Sequence, residues 1–143
     1  MSRTIDIDFG FRELARLDDI VSALLEHGIE VRSGNRLFYM DNSDGLFDWQ
    51  YSDLRAASSV MSRLSEVLAH GVDVGFGVSW GAERRAGSLL VLPERRTISF
   101  IPDSDSPRLD AAPDFMEFGW YLDVLTAVFA PLGLTSIEAQ SLE

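Results

Sequence analysis

The chain has 143 residues, of which 46% are apolar and 24% are charged, and this composition indicates one globular domain rather than a disordered segment. The absence of cysteine excludes a disulfide scaffold, a thiol nucleophile, an iron–sulfur cluster and a cysteine-ligated zinc site. There are 23 acids and 12 bases, every base is an arginine, and the net charge of −11 disfavours binding to nucleic acid or to an anionic membrane.

The first third of the chain predicts strands and a helix. Residues 3–9 alternate between apolar and acidic side chains, which indicates a half-buried strand. Residues 11–27 carry apolar side chains at helical spacing and predict a helix. Strands are expected at 29–31 and 37–40, and Gly34-Asn35 supplies the residues of a tight hairpin turn between them.

The rest of the chain predicts two more helices and four more strands. Residues 41–53 read as a loop or an irregular edge, and a proline-rich loop is expected over 103–114. The remaining elements are a helix over 54–70, a three-strand meander at 72–80, 88–92 and 97–101, a helix over 114–130 and a strand at 134–139.

These elements predict a single α+β domain over residues 1–143. We expect a mixed or mostly antiparallel sheet of about six to eight strands, with three helices packed mainly on one face. The order β-α-β-β-α-β-β-β-α-β resembles a decorated ferredoxin-like sandwich. The opening residues lack an apolar signal core, and acids interrupt the apolar stretch 115–134, so a cytoplasmic protein without a membrane span is expected.

A short repeat spans the ends of the first two helices and the residues after them. Residues 22–31 and 65–74 are identical at five of ten positions, with a constant offset of 43 residues. Each copy predicts a helix end, a glycine in the left-handed conformation and a strand, and such a joint can arise by duplication or by convergence. The two histidines, His27 and His70, fall in the last turn of each helix, where the helix dipole and free carbonyls favour a cation.

Acids and aromatic residues are interleaved over residues 41–53. Aromatic side chains beside charges have the composition of an interface anchor, although the same face is also compatible with core packing. A calcium site is not expected, because Ser43 and Gly45 stand where the calcium-hand pattern needs acids or amides and the terminal glutamate of that pattern is absent. The partner-binding residues predicted in this segment are Asp41, Asp44, Asp48, Trp49, Tyr51 and Asp53.

Other motifs give weaker signals. Gly75 and Gly77 lie inside a predicted strand, where they indicate a bulge or close packing under an aromatic ring rather than a phosphate loop. The pairs Arg84-Arg85 and Arg95-Arg96 belong at opposite ends of the meander. The loop that carries Asp103, Asp105 and Asp110 returns to the end where Arg84 and Arg85 lie, and these acids form a second predicted partner site.

The profile as a whole is similar to that of small acidic bacterial immunity proteins, which neutralise a toxin by covering its active site. The similarity lies in size, charge and the lack of a catalytic motif, and it implies a non-enzymatic protein that sequesters a basic partner such as a toxin or nuclease. The acids would attract the basic partner electrostatically, and the aromatic side chains would then hold it in the complex. No cofactor or metal is expected.

Two other function classes are open. One is a homo-oligomeric small-molecule-binding regulatory domain that associates through the third helix, whose apolar residues, Trp120 among them, occupy two stripes. The other is a metal-assisted enzyme that uses His27 and His70.

Overall fold

Seven antiparallel strands form one open sheet in the order β3-β2-β4-β5-β6-β1-β7. The structure is a computed structural model and describes residues 4–142, so Arg3 of the predicted first strand lies outside the described residues. The elements are β1 (Thr4–Phe11), α1 (Leu17–Glu26), β2 (Arg36–Asp41), β3 (Trp49–Asp53), α2 (Ala57–Ala69), β4 (Val74–Trp80), β5 (Arg85–Leu92), β6 (Thr97–Pro102), α3 (Gly119–Phe129) and β7 (Leu134–Leu142). The predicted α+β class and the expected strand number are confirmed.

The hydrophobic core lies between one face of the sheet and the three helices. Each helix contributes fully buried side chains, such as Leu24, Leu64 and Leu125, and the central strands contribute others, such as Phe76. Phe129 of α3 meets the ring of Phe9 edge-on at 5.0 Å between centroids. Every second side chain of β1, β4, β5 and β6 points into this layer. Because α1, α2 and α3 all pack on this face, no α-helix within residues 4–142 lies over the other face of the sheet.

Part of the fold follows the expected ferredoxin-like order. β1, α1, β5, β6, α3 and β7 keep the sequence β-α-β-β-α-β, and β1 lies between β6 and β7 in the sheet. The segment from β2 to β4, with α2, is inserted after α1. It extends the sheet beyond β5 and adds the third helix of the layer.

The strands differ from the prediction at two places in the chain. Residues 29–31 form no strand, and Glu30 makes only an isolated bridge to Ser79. Residues 49–53, expected as a loop or irregular edge, form β3 at one edge of the sheet, because Trp49–Asp53 pairs with β2 along its whole length. The predicted strand at 37–40 is therefore β2, and the element order matches the prediction only because β3 takes the place of the missing strand at 29–31.

Two of the helices begin more than one turn later than predicted. Phe11 remains in β1 because it pairs with Leu134, and α1 begins only at Leu17. Met116 pairs with Arg108 in an isolated bridge, so the chain before α3 is folded back on itself and the helix begins at Gly119.

The helix end and the glycine of the repeated joint have the predicted geometry in both copies, but only the second copy leads directly into a strand, β4. Gly28 and Gly71 have φ of 74° and 85°, in the left-handed region that favours glycine. The Nδ1 atoms of His27 and His70 lie 3.0 and 2.8 Å from carbonyl oxygens four residues earlier, in the last turn of each helix. The two histidines therefore occupy the helix-capping positions that the sequence indicates.

Candidate functional site

The helix-free face of the sheet, called here the uncovered face, carries a continuous row of side chains across all seven strands. Strand register aligns one residue from each strand in a single line. From one edge to the other the row reads Trp49, Met40, Gly75, Leu90, Ser99, Asp8 and Glu138. The row changes from aromatic and apolar at the β3 edge to acidic at the β7 edge.

Three aromatic side chains at the β3 edge form a cluster, called here the aromatic ridge. The ring of Phe38 is stacked on Trp49 at 4.6 Å between centroids and lies 4.8 Å from the ring of Tyr51. The guanidinium of Arg36 lies 3.9 Å from the centre of the Tyr51 ring, a cation–π distance. Tyr51 is still 52% exposed.

Glycines in β4 make room for the aromatic ridge. A Cβ on Gly75 would lie 2.5 Å from the indole of Trp49, and one on Gly77 would lie 3.2 Å from Cβ of Phe38. The predicted close packing of these glycines under an aromatic ring is therefore confirmed. The ridge itself lies on the uncovered face rather than in the core under the helices.

Phe47, on the loop before β3, projects at the rim of this surface. It is 49% exposed and has a φ of 52°, which is unfavourable for a bulky side chain. The carboxamide oxygen of Asn42 accepts a hydrogen bond of 2.8 Å from the Phe47 amide and supports this conformation. An exposed aromatic side chain held in a strained conformation is a feature that functional sites often show.

Two adjoining depressions form a groove along the uncovered face. The first has a volume of ≈ 380 Å³ and reaches Phe47, and the second has a volume of ≈ 420 Å³ and reaches Glu138. They share Leu90, Leu92 and Arg95 as lining residues. The groove thus has a partly apolar floor between two acidic ends.

One acidic end of the groove centres on Ser99, which lies between two carboxylates. The Ser99 hydroxyl is within hydrogen-bonding distance of both Asp8 and Asp6, with 2.7 Å between its oxygen and Oδ1 of Asp6, and it can donate its one proton to either carboxylate. Burial raises the pKa of Asp6, the hydrogen bond from Ser99 opposes that rise, and the neighbouring Asp8 and Glu138 add to it. The carboxylates here repel one another, and a cation would relieve that repulsion.

The other acidic end contains Asp73 and Glu94. Burial raises the pKa of Asp73, the charge of Glu94 raises it further, and Arg95 partly compensates. The groove thus contains five carboxylates and a single arginine among its lining residues in the described part of the chain. The lining acids are Asp6, Asp8, Asp73, Glu94 and Glu138.

Three acids of the first predicted partner site stabilise local backbone structure. Asp44 accepts a hydrogen bond from the Leu46 amide, and Asp53 accepts one from the Arg55 amide as the cap of the turn before α2. Burial acts to raise the pKa of Asp41, but hydrogen bonds from Ser43 and the charge of Arg63 lower it below its ordinary value. Asp48 is exposed beside Phe47.

The second predicted partner site lies away from the first. Asp103 and Asp105 follow β6 at the end of the sheet where Arg84 and Arg85 lie, whereas the loop before β3 is at the opposite end. Burial, followed by the charge of Asp105, raises the pKa of Asp103. The structure therefore does not bring the two predicted groups of acids together, and Asp110 lies further along the exposed loop.

Arg85, the first residue of β5 at this end of the sheet, forms an ion pair with an acid that lies just before α3. Nη2 of Arg85 donates to Glu117 at 3.3 Å, and the guanidinium lies 4.3 Å from the centre of the Trp120 ring. The stripe of α3 that carries Trp120 packs against the chain's own core. The exposed residues of α3 are Gly119, Asp123 and Ala127.

No group of three or more histidine, aspartate or glutamate side chains within residues 4–142 has the geometry to hold a metal ion. Nor is any helix in this range long and apolar enough to span a membrane.

Sequence reasoning missed the acidic half of the groove. Asp6 and Asp8 were expected on the polar side of a strand, where they lie, but their partners Ser99 and Glu138 are far away in the chain. The alternation of apolar and acidic residues in β1 was the available signal for Asp6 and Asp8. Ser99 and Glu138 join them only through the pairing of β6, β1 and β7.

The fold and the site define an α+β protein with an acidic and aromatic sheet face that no helix covers. Comparison of the chain with protein-family models, with curated proteins and with solved structures finds no match. Its function is accordingly inferred from its own residues.

Proposed function

We propose that the chain is a non-catalytic protein that binds and sequesters a basic protein partner, and that the partner docks on the uncovered face. The observation that carries the proposal is the groove, in which apolar floor residues lie between two groups of carboxylates. A surface with this composition suits arginine and lysine side chains, whose alkyl stems pack on apolar residues while their charged ends meet carboxylates.

The aromatic ridge supplies the second part of the proposed mechanism. Interface energy is usually concentrated in a few residues such as tyrosine, tryptophan and arginine. Tyr51 and Phe47 are exposed beside the groove, and Trp49 is held rigidly by its stack on Phe38. Acids on the groove would accelerate the encounter, and the aromatic side chains would slow dissociation.

The net charge supports the same class of partner. At −11 the chain repels other acidic macromolecules and attracts cationic ones. A toxin or nuclease with a basic active-site surface is the partner that this proposal favours, as it would be for an immunity protein of the bacterial type.

The test begins with capture from the native host at low salt and continues with the captured protein in pure form. We expect a stoichiometric complex that weakens as the salt concentration rises. The variant Tyr51→Ala should dissociate several-fold faster, because it removes an exposed anchor on the uncovered face. Leu25→Ala removes a side chain that is 56% exposed on α1, on the other side of the molecule, and is the matched control.

Two results would contradict the proposal. One is a captured protein that binds equally well at low and high salt. The other is equal dissociation of the wild type and the Tyr51→Ala variant, with Leu25→Ala as the variant that weakens the complex.

A further inference from the structure

Within residues 4–142 the outer edge of β7 has no partner strand, and it is the less protected of the two edges of the sheet. β7 runs for nine residues, Leu134–Leu142, and within residues 4–142 it pairs only with β1. Each outward-facing backbone amide and carbonyl along such an edge is free to pair with another extended chain. Proteins usually block such edges with lysine, proline, a bulge or a covering loop.

The two edges of the sheet differ in this respect. β3 has five residues and lies between two short 3-10 turns, Asn42–Asp44 and Leu54–Ala56. β7 has no proline and no lysine, and its side chains from 135 to 140 are all exposed. Its one register irregularity lies at its beginning, where Leu134 pairs with Phe11. The remainder of the edge is regular and uncharged apart from Glu138.

The two faces of β7 have different chemistry. On the helix side, Ile137 and Ala139 align with the core residues Phe9 and Ile7 but are exposed, because the helices do not extend over β7. On the uncovered face Glu138 is next to Asp8 in the seven-strand row. A strand placed beside β7 would therefore meet apolar side chains on one face and carboxylates on the other.

We propose that an extended segment of a basic protein adds to the edge of β7 as an eighth strand. Its apolar side chains would pack on Ile137 and Ala139, and the alternating arginine or lysine side chains would lie beside Glu138 and reach toward Asp8. This inference rests on the proposed function and names the chemistry of the partner, which is a segment that alternates between apolar and basic residues.

Charge favours this occupant over a second copy of the chain. Pairing of two β7 strands would bring together two chains that each have a net charge of −11, and it would place their acidic groove ends side by side. A basic strand would instead neutralise the row that ends at Glu138.

The test uses a capped peptide of alternating arginine and valine, as long as β7, and amide hydrogen exchange of the full chain. We expect the peptide to slow exchange of the outward-facing amides of β7 while the amides of β3 keep their rates. A second peptide of the same composition, with the arginines and valines in separate blocks, has the same charge without the alternation and should not give this protection. Glu138→Lys should weaken binding of the alternating peptide several-fold, whereas Glu26→Lys, on α1, should leave that binding unchanged.

Several outcomes would overturn the inference. They are equal protection by both peptides, protection at β3 in place of β7, and unchanged exchange of β7 at millimolar peptide. Slow exchange of β7 in the protein alone, with a doubled mass by light scattering, would assign the edge to a second copy. The proposed function is tested separately, by the dissociation rate of the complex that Tyr51→Ala forms with the captured partner. If the peptide does not protect β7 but Tyr51→Ala still dissociates faster than the wild type, only the inference about the β7 edge is wrong.

Discussion

Two aspartates on the same sheet have opposite electrostatic environments. Asp6 is crowded by burial and by other acids, and its pKa is raised. Asp41 accepts hydrogen bonds from Ser43 and lies near Arg63, and its pKa is lowered despite partial burial. A raised pKa in the folded state means that ionised Asp6 lowers stability at neutral pH, whereas ionised Asp41 increases it.

We predict that Asp6→Asn is more stable than the wild type at pH 7. The folded protein binds the Asp6 proton more tightly than the unfolded chain does, so the contribution of Asp6 is fully present below the unfolded pKa and is lost as pH rises through the folded pKa. The advantage of the variant should therefore shrink as pH falls through the raised pKa of Asp6, and it should be gone once pH is below the usual aspartate pKa. Urea unfolding at a series of pH values measures this difference.

Asp41→Asn is the control with the opposite sign. It should be less stable than the wild type at pH 7, and this difference in stability should disappear as pH falls through the folded pKa of Asp41. The electrostatic account fails if both variants shift stability in the same direction at pH 7.

Phe47 gives a second prediction at the residue scale. Its positive φ is costly for a phenylalanine, so Phe47→Gly should leave the free energy of unfolding unchanged or raise it by up to about 1 kcal/mol. Leu46→Gly, at the neighbouring exposed position, should not raise the free energy of unfolding. Urea denaturation of both variants checks this, and a clear loss of stability in Phe47→Gly would show that the ring contributes packing that outweighs the strain.

At the scale of elements, the aromatic ridge depends on the absence of side chains in β4. We predict that Gly75→Ala lowers the free energy of unfolding by about 1–3 kcal/mol, because the new Cβ forces the Trp49 ring away from β4. The near-ultraviolet circular dichroism of the Trp49 stack should change with it.

Gly119→Ala is the matched control for this prediction. A Cβ at Gly119 has no atom within 4 Å, and the residue lies in the first turn of α3. Its stability should be unchanged or slightly higher. Equal stability of Gly75→Ala and the wild type, with an unchanged spectrum, would contradict the close packing of the ridge on β4.

The sequence predicts the secondary-structure elements better than it predicts which elements contact one another. Local patterns identify the α+β class, the cap glycines Gly28 and Gly71 and the close packing at Gly75. They do not identify Trp49 as the ring over Gly75, because that contact depends on the pairing of β2 with both β3 and β4. Residues 49–53 read as a loop because the alternation of aromatic and polar residues there is short and acidic.

The same limit applies to the candidate site. Two residues of the aromatic ridge, Trp49 and Tyr51, are close in sequence and were predicted, whereas Phe38 joins them through the pairing of β2 with β3. The acidic part joins Asp8, Ser99 and Glu138, and only the long-range order β6-β1-β7 places them together. Asp103, Asp105 and Asp110 share the composition of the first acidic group but lie beyond the opposite end of the sheet.

At the scale of the whole molecule, charge and apolar surface are unevenly distributed. The helices bury one face of the sheet and leave the other with an apolar floor, five acids along its groove and an open β7 edge. We therefore predict that acids on the uncovered face steer a basic partner more strongly than acids on the helices do.

The most direct measurement is the association rate of the purified partner with two charge-reversal variants. Asp48→Lys/Glu94→Lys reverses the exposed acid next to Phe47 and an acid that lines the groove. Glu26→Lys/Glu66→Lys makes the same change in net charge at exposed helix positions. At low salt the groove variant should associate at least about tenfold more slowly than the helix variant, and the difference should narrow as salt rises. Equal association rates for the two variants at low salt would contradict docking on the uncovered face.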